Sequence, residues 1–235
     1  MVDAVRTSSR VVALLPCAGI GSRAGIPIPK QYAKVCGKPV VAHAIEALLN
    51  VRRLARVVVV LASDDKAFEA AFGSHMRVTA LRKGGATRAA TVTNGVRWLL
   101  DNGVQPDDWV LVHDAARCLI EPAAVDRLID ACIDDDVGGL LALPLGDTLK
   151  ASYEGRVRRT LDRSDKWLAQ TPQMFRAGTL LRALEAAGGA VTDEASAIEA
   201  LGLAPLLVRG DAVNFKITWP EEFALAERWI KARPE

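Results

Sequence analysis

The chain has 235 residues, half of them apolar, and a formal net charge of +2. That length suits one α/β domain with an inserted element, and a near-balanced charge without a basic block argues against nucleic acid as the main partner. Residues 1–10 read as polar and the apolar run after them is short, so neither a signal peptide nor a membrane span is expected, and the chain reads as cytoplasmic. Four cysteines, Cys17, Cys36, Cys118 and Cys132, have no CxxC spacing and read as small buried hydrophobes. His43, His75 and His113 form no metal or nucleophile motif.

Val11 to Leu15 read as a buried strand ended by Pro16. Cys17, Ala18, Gly19 and Gly21 follow, and side chains this small let several backbone N–H groups converge on one anion. Arg23 and Lys30 bracket the turn. A planar fork of donors and a mobile point charge together suit an extended polyphosphate. Two better-known phosphate loops fail here. The Gly37–Lys38 pair is followed by Pro39 where a Walker A loop needs Ser or Thr. A loose dinucleotide fingerprint at Gly19, Gly21 and Ala24 lacks its helix, which Pro27 and Pro29 forbid, and residues 39–49 read as helix where the ribose-binding acid would be sought.

Pro39 opens that helix, with Val40, Ala44, Ile45 and Leu48 on one stripe, and Val57 to Leu61 form the next strand. Residues 84–91, GGATRAAT, place two glycines before a helix capped by Thr87; the turn is either a base-reading loop or a plain capped one. The strand Trp109 to His113 runs into HDAAR, so Asp114 and Arg117 face the space outside a strand's carboxyl end, where ligands collect in α/β sheets. Pro122 opens a further helix, and Leu140 to Pro144 is a strand. The alternation predicts a mostly parallel sheet covered on both faces.

Residues 145–170 break the pattern: they are polar, charged and centred on a Glu154–Gly155 turn. They predict an exposed hairpin arm that is marginal unless it packs on a second subunit. Helices are expected at Thr179 to Glu185 and Glu194 to Leu201, strands at Leu206 to Val208 and Phe215 to Thr218, and a closing helix from Pro220. Taken singly, Arg163 and Lys216 read as solvated cations.

Six words run in order along nearly the whole chain: PCAGIGSRAG with PKQY, GGATR, HDAAR, the arm's Asp162–Arg163 with TPQMF, TDEAS, and NFKITWPEE. On these words the sequence resembles the 2-C-methyl-D-erythritol 4-phosphate cytidylyltransferase family of the non-mevalonate isoprenoid pathway. The resemblance implies a Rossmann-like nucleotidyltransferase domain whose β-hairpin arm is exchanged within a homodimer. It implies transfer of CMP from CTP, with Mg²⁺, to 2-C-methyl-D-erythritol 4-phosphate. Arg23 and Lys30 would hold the CTP phosphates, Cys17, Ala18, Gly19 and Gly21 would line the loop, and Gly85 and Thr91 would lie near cytosine. Asp114 would contact the ribose or the magnesium, which the CTP phosphates would mainly hold. The acceptor would lie against Arg117, Thr171, Thr192 and Lys216, joined by Arg163 of the partner subunit.

Several positions depart from the family pattern. Thr91 stands for a serine, Cys17 for alanine, Ala24 for methionine and Cys118 for proline, and none of these removes a charge or a hydrogen-bonding group. Val213 stands where an acid is frequent, which moves one polyol contact to Asp211 or to backbone. A ribitol 5-phosphate cytidylyltransferase is the nearest competing reading, with DAAR and TDEAS against it. A nicotinamide-dependent oxidoreductase and a non-catalytic nucleotide sensor are the others; Pro27 and Pro29 oppose the first, and Arg163, Thr192 and Lys216 the second.

Overall fold

The computed structural model describes residues 10–19, 25, 28–189 and 191–233. In chain order, β1 (Val11–Cys17) leads through a 3-10 turn at Lys30–Tyr32 to a short hairpin, β2 (Lys34–Val35) and β3 (Lys38–Pro39), and then to α1 (Val40–Leu49). Next come β4 (Leu54–Leu61), α2 (Phe68–Phe72), β5 (Val78–Leu81), α3 (Arg88–Asp101), β6 (Trp109–Val112), α4 (Pro122–Cys132) and β7 (Gly138–Pro144). A second hairpin, β8 (Leu149–Tyr153) and β9 (Arg156–Leu161), precedes β10 (Trp167–Arg176), α5 (Ala177–Ala186), α6 (Glu194–Ala200), β11 (Leu206–Arg209) and α7 (Pro220–Ala232).

Seven strands form one sheet in the order β11-β7-β10-β6-β1-β4-β5. Its ladders are parallel except where β10 runs antiparallel between β6 and β7. The strands are near-continuously apolar because both faces are covered, and successive residues serve opposite layers. Ala13, Leu15, Val57, Val59 and Leu111 pack with Ile45, Leu48, Leu128 and Ile129 of α1 and α4. Leu14, Val58, Val60, Val110 and Val112 pack with α3, α5 and α6. Val35, Leu119, Ile217 and Ala226 form a third cluster that seats α7. Because β1, β4, β6 and β7 run in one sense and β10 in the other, the carboxyl ends of the first four and the start of β10 share one rim. The described start of the loop after β1, the turn after β6 and the Thr192–Asp193 turn lie there.

Several expectations are corrected. β1 continues through Pro16 to Cys17, since the β6 ladder already stops at Leu14↔Val112 and β4 alone pairs with Pro16. Phe215 to Thr218 is not a strand. Its backbone goes to loops instead, with Ile217 N–H donating to Ala116 O and Lys30 Nζ donating to Ile217 O. The arm spans 145–166, because Trp167, Leu168 and Ala169 pair with β7 inside the central sheet. Its Glu154–Gly155 turn has φ of 48° and 74°, the left-handed pair that a tight hairpin turn requires. Cys36 is exposed in the β2–β3 turn, while Cys17, Cys118 and Cys132 are buried as expected. Burial pushes the Cys118 and Cys132 thiols up to about 12, so they act as apolar filling. α2 and β5 have five and four residues, too short for their periodicity to signal either. No helix among the described residues is long and apolar enough to cross a membrane.

Helix α3 reaches the sheet through a glycine. A Cβ on Gly95 would lie 2.7 Å from Leu14 Cδ1 and 2.8 Å from Val60 Cγ2. Gly95→Ala is expected to gain about 1 kcal/mol of helix propensity and to lose about 1–3 kcal/mol to overpacking. The urea midpoint should therefore fall with an unchanged m-value; a raised midpoint would show that the α3–sheet contact has slack.

Candidate active site

The site begins where β6 ends. The N–H of His113 donates to Leu14 O at 2.9 Å, which carries the ladder one residue past Val112. The His113 ring is wholly buried, with Nε2 3.0 Å from Arg117 O and Nδ1 3.2 Å from Thr171 Oγ1. A carbonyl only accepts, so Nε2 is assigned the proton and Nδ1 accepts from the threonine hydroxyl. That hydroxyl in turn accepts from the Asp114 N–H at 3.0 Å. Burial pushes the imidazole down to about 4, against the pull of its bond to the Arg117 carbonyl. His113 is thus a neutral strut that sets the backbone of the HDAAR turn against β10, and the residues it braces face the rim.

Asp114 has each carboxylate oxygen on a different cation. Oδ1 accepts from Arg88 Nε at 2.8 Å and Oδ2 from Lys216 Nζ at 2.7 Å. Arg88 also makes a two-pronged pair with Glu194, at 2.7 and 3.0 Å. Burial alone would raise the Asp114 carboxyl, but the charges of Arg88 and Lys216 hold it well below the usual carboxylate range. Burial also pushes Glu194 up, with Arg88 opposing. Both Glu194 oxygens accept from the guanidinium, which is the arrangement of an ionised carboxylate. Arg88 and Glu194 are the first residues of α3 and α6, so two helix starts meet at this point.

A cavity of about 190 Å³ opens beside this cluster, lined by Asp114, Arg117, Thr171, Thr192 and Lys216 together with Arg88, Gln170, Gln173 and Asp193. Arg117 donates to Asn214 O at 2.7 Å and Ala169 O at 3.3 Å, and no carboxylate pairs with it among the described residues. Asp193 caps α6 and accepts from Gln173 Nε2 at 2.8 Å. Arg88, Arg117 and Lys216 therefore face Asp114 and Asp193 in the wall, and the buried Glu194 lies behind Arg88, outside the lining. A doubly charged phosphate entering here meets no surplus of positive charge from these groups alone.

The phosphate-loop side adjoins it. Gln31 is buried and donates from Nε2 to Cys17 O at 3.2 Å and to Gly19 O at 3.0 Å, which ties the start of the loop to the PKQY turn. Tyr32 donates to Asp65 Oδ2 at 2.5 Å and fixes the other end of that turn. Ala18 lies against the GGATR loop so closely that a Cβ on Gly84 would sit 2.4 Å from Ala18 Cβ. Lys30 Nζ donates to Ile217 O at 2.8 Å, one residue from Lys216. Thr91 is buried with its hydroxyl folded under the loop, accepting from Gly85 N–H at 3.1 Å and donating to Thr87 O at 2.9 Å. It shapes the Gly85 backbone through these bonds.

The structure thus brings together Asp114, Arg117, Thr171, Thr192 and Lys216 in one cavity, whereas Cys17, Ala18, Gly19, Lys30, Gly85 and Thr91 line no part of it, and Lys30 is tied to the residue next to Lys216. Gly21, Arg23 and Ala24 lie outside the described residues. Arg163 stands in the exposed arm, donates to Gly146 O and does not line the cavity. Asp211 does not replace the acidic polyol contact, because its carboxylate faces Arg127 at 2.8 Å, while Val213 lies with Glu121, Trp229 and Arg233. Asp114 does not fit the magnesium-ligand role, since both its oxygens are taken by cations. Arg88, Glu194, Asp193, Gln170 and Gln173 were not singled out from sequence. One signal was present: a cation at the first position of a helix opposes the helix dipole, so Arg88 needed an acidic partner.

A mostly parallel sheet with a cation-bearing cavity on its carboxyl rim is an arrangement that nucleotidyltransferases use. The family model for 2-C-methyl-D-erythritol 4-phosphate cytidylyltransferase (IspD) matches residues 11–232. A protein of that name from Laribacter hongkongensis is 58% identical over 221 residues, covering 93% of this chain and 95% of its own. A bifunctional IspD/IspF enzyme from Albidiferax ferrireducens is 58% identical over 97% of this chain, which spans 54% of that longer protein. The crystal structure of a 4-diphosphocytidyl-2C-methyl-D-erythritol synthase superposes with a TM-score of 0.85 at 40% identity, covering 94% of this chain and 98% of its own. The chain belongs to the 2-C-methyl-D-erythritol 4-phosphate cytidylyltransferase family, whose members are CTP-dependent enzymes.

The buried His113 gives stability a pH dependence of defined sign. Above about pH 6.5 both folded and unfolded chains leave the ring neutral and its contribution is intact. Between about pH 6.5 and 4 the unfolded chain takes up a proton that the folded one refuses, so stability falls with pH by about 3 kcal/mol in all. Urea unfolding at pH 7 and pH 4.5 should show this loss in the parent and a smaller one in His113→Gln. Equal losses in both would remove His113 from the account.

Proposed function

We propose that this chain transfers CMP from CTP to 2-C-methyl-D-erythritol 4-phosphate, giving 4-diphosphocytidyl-2-C-methyl-D-erythritol and pyrophosphate. The observation that carries the reading is the bond from Lys30 to the carbonyl of Ile217. It holds the cation of the triphosphate loop one residue from Lys216, the cation of the acceptor cavity, so the two substrates meet at their charged ends.

An acceptor phosphate oxygen attacks the α-phosphorus of CTP, the bond from that phosphorus to the β-phosphate's bridging oxygen breaks, and pyrophosphate departs in line. A phosphate monoester is already an anionic nucleophile at neutral pH, so no general base is required and His113 can stay neutral. The obstacle is the approach of two anions. Arg117 and Lys216 receive the acceptor phosphate, Lys30 and Arg23 the triphosphate, and charge that builds at the α-phosphate falls between them. Thr171 and Thr192 offer hydroxyls to the acceptor, and Gly19, Gly21 and Gly85 offer backbone groups to the nucleotide. Magnesium belongs to the triphosphate in this reading, and no step runs through Asp114.

The balanced charge of the cavity favours an additional cation from outside the chain. We assign it to Arg163 of the partner subunit, in a homodimer joined through the arm, whose exposed Tyr153 and Val157 are otherwise solvated. The enzyme is read as cytoplasmic, without a nucleic-acid or membrane partner.

Pyrophosphate release from CTP and Mg²⁺ tests the reading, with methylerythritol phosphate and ribitol 5-phosphate compared against no acceptor. Release is expected with methylerythritol phosphate alone. Lys30→Ala and Lys216→Ala should each lower kcat/KM by on the order of 10²-fold or more, as loss of one transition-state charge contact does. Preference for ribitol phosphate, or parent-like turnover in either variant, would overturn it.

A further inference from the structure

Glu194 is the deepest charge in the site, wholly buried at the first turn of α6, and it lines no part of the cavity. A buried carboxylate is costly unless its lone pairs are matched, and both of its oxygens are matched by one guanidinium. The two-pronged contact fixes the plane of Arg88 and uses both terminal nitrogens. Only Nε is left to face Asp114, and it takes only Oδ1. Oδ2 is thereby left for Lys216 at 2.7 Å. The charges alternate along the line: Glu194 negative, Arg88 positive, Asp114 negative, Lys216 positive.

We propose that Glu194 is a positioning residue for the acceptor phosphate, acting through Arg88 and Asp114 to fix where the Lys216 ammonium stands. If the carboxylate is replaced by an amide, one guanidinium N–H meets an NH₂ group and loses its acceptor. Arg88 then turns its fork to both oxygens of Asp114, which removes the anchor of Lys216. Lys216 sits on a segment with no ladder of its own, and among the described residues Asp114 is the one carboxylate paired with its ammonium. The CTP side meets this line of charges through the backbone of Ile217, which holds Lys30 whether or not the Lys216 ammonium stays on Asp114.

The inference rests on the acceptor reading of the cavity, and the test separates the two. Steady-state kinetics of the full chain are compared for the parent, Glu194→Gln, Lys216→Gln and the double variant. Glu194→Gln should lose about tenfold in kcat/KM for methylerythritol phosphate, the worth of one charge-assisted hydrogen bond, with the KM for CTP within about twofold of the parent. In the Lys216→Gln background the same substitution should cost nothing further, a non-additivity that a purely structural defect would not produce. Should Glu194→Gln fail to fold, Glu194→Asp keeps the buried charge, shortens its reach to the Arg88 fork and should show the same acceptor-specific loss. Additive losses, an unchanged kcat/KM, or an equal rise in the KM for CTP would overturn the role of Glu194 and leave the cytidylyl transfer standing. A parent enzyme that releases no pyrophosphate with methylerythritol phosphate would overturn both.

Discussion

The carboxylate of Asp114, divided between Arg88 and Lys216, is the constraint on which the rest of the site depends. Three charged groups cannot be placed at the edge of a low-dielectric core unless each is paired, and the pairing here joins parts of the chain that share no ladder. Arg88 begins α3, Asp114 follows β6, and Lys216 belongs to an irregular segment between β11 and α7. Removing either cation would leave Asp114 partly uncompensated. The HDAAR turn is fixed from beneath by His113 and Thr171, so Asp114 cannot move away to follow water.

The arrangement suits a reaction whose difficulty is repulsion between two phosphates. Rigid elements carry the groups that must not move, and the side chains that meet substrate reach in from loops on a single rim. Lys30 and Lys216 converge on one short segment although they stand 186 positions apart in the sequence. The wall of the acceptor cavity carries both signs in near balance, which keeps the empty site tolerable.

Much of the fold was legible because burial on both faces forces near-continuous apolar strands. Val57 to Leu61 and Trp109 to Val112 announce themselves by composition alone. β10 did not, since Gln170, Thr171, Pro172 and Gln173 interrupt it with the polar residues that the cavity requires, and function overrides strand propensity there. Phe215 to Thr218 alternates like a strand, yet Ile217 packs under α7 and the backbone is spent on Ala116 and Lys30. For the site, HDAAR and NFKITWPEE carry residues that meet in space, since Asp114, Arg117 and Lys216 share a cavity. Arg88 and Glu194 stayed hidden because each is conventional in its own word, and only their meeting across 106 residues gives them meaning. Thr91 illustrates the converse: its hydroxyl was legible, and its direction was not.

A crystal structure of the protein with methylerythritol phosphate and a non-hydrolysable CTP analogue tests the central claim most directly. The account predicts an acceptor phosphate oxygen within about 3 Å of Lys216 Nζ and within reach of Arg117, with Asp114 still bound to Arg88. A phosphate held elsewhere, with Lys216 bonded to Asp114 alone, would contradict it.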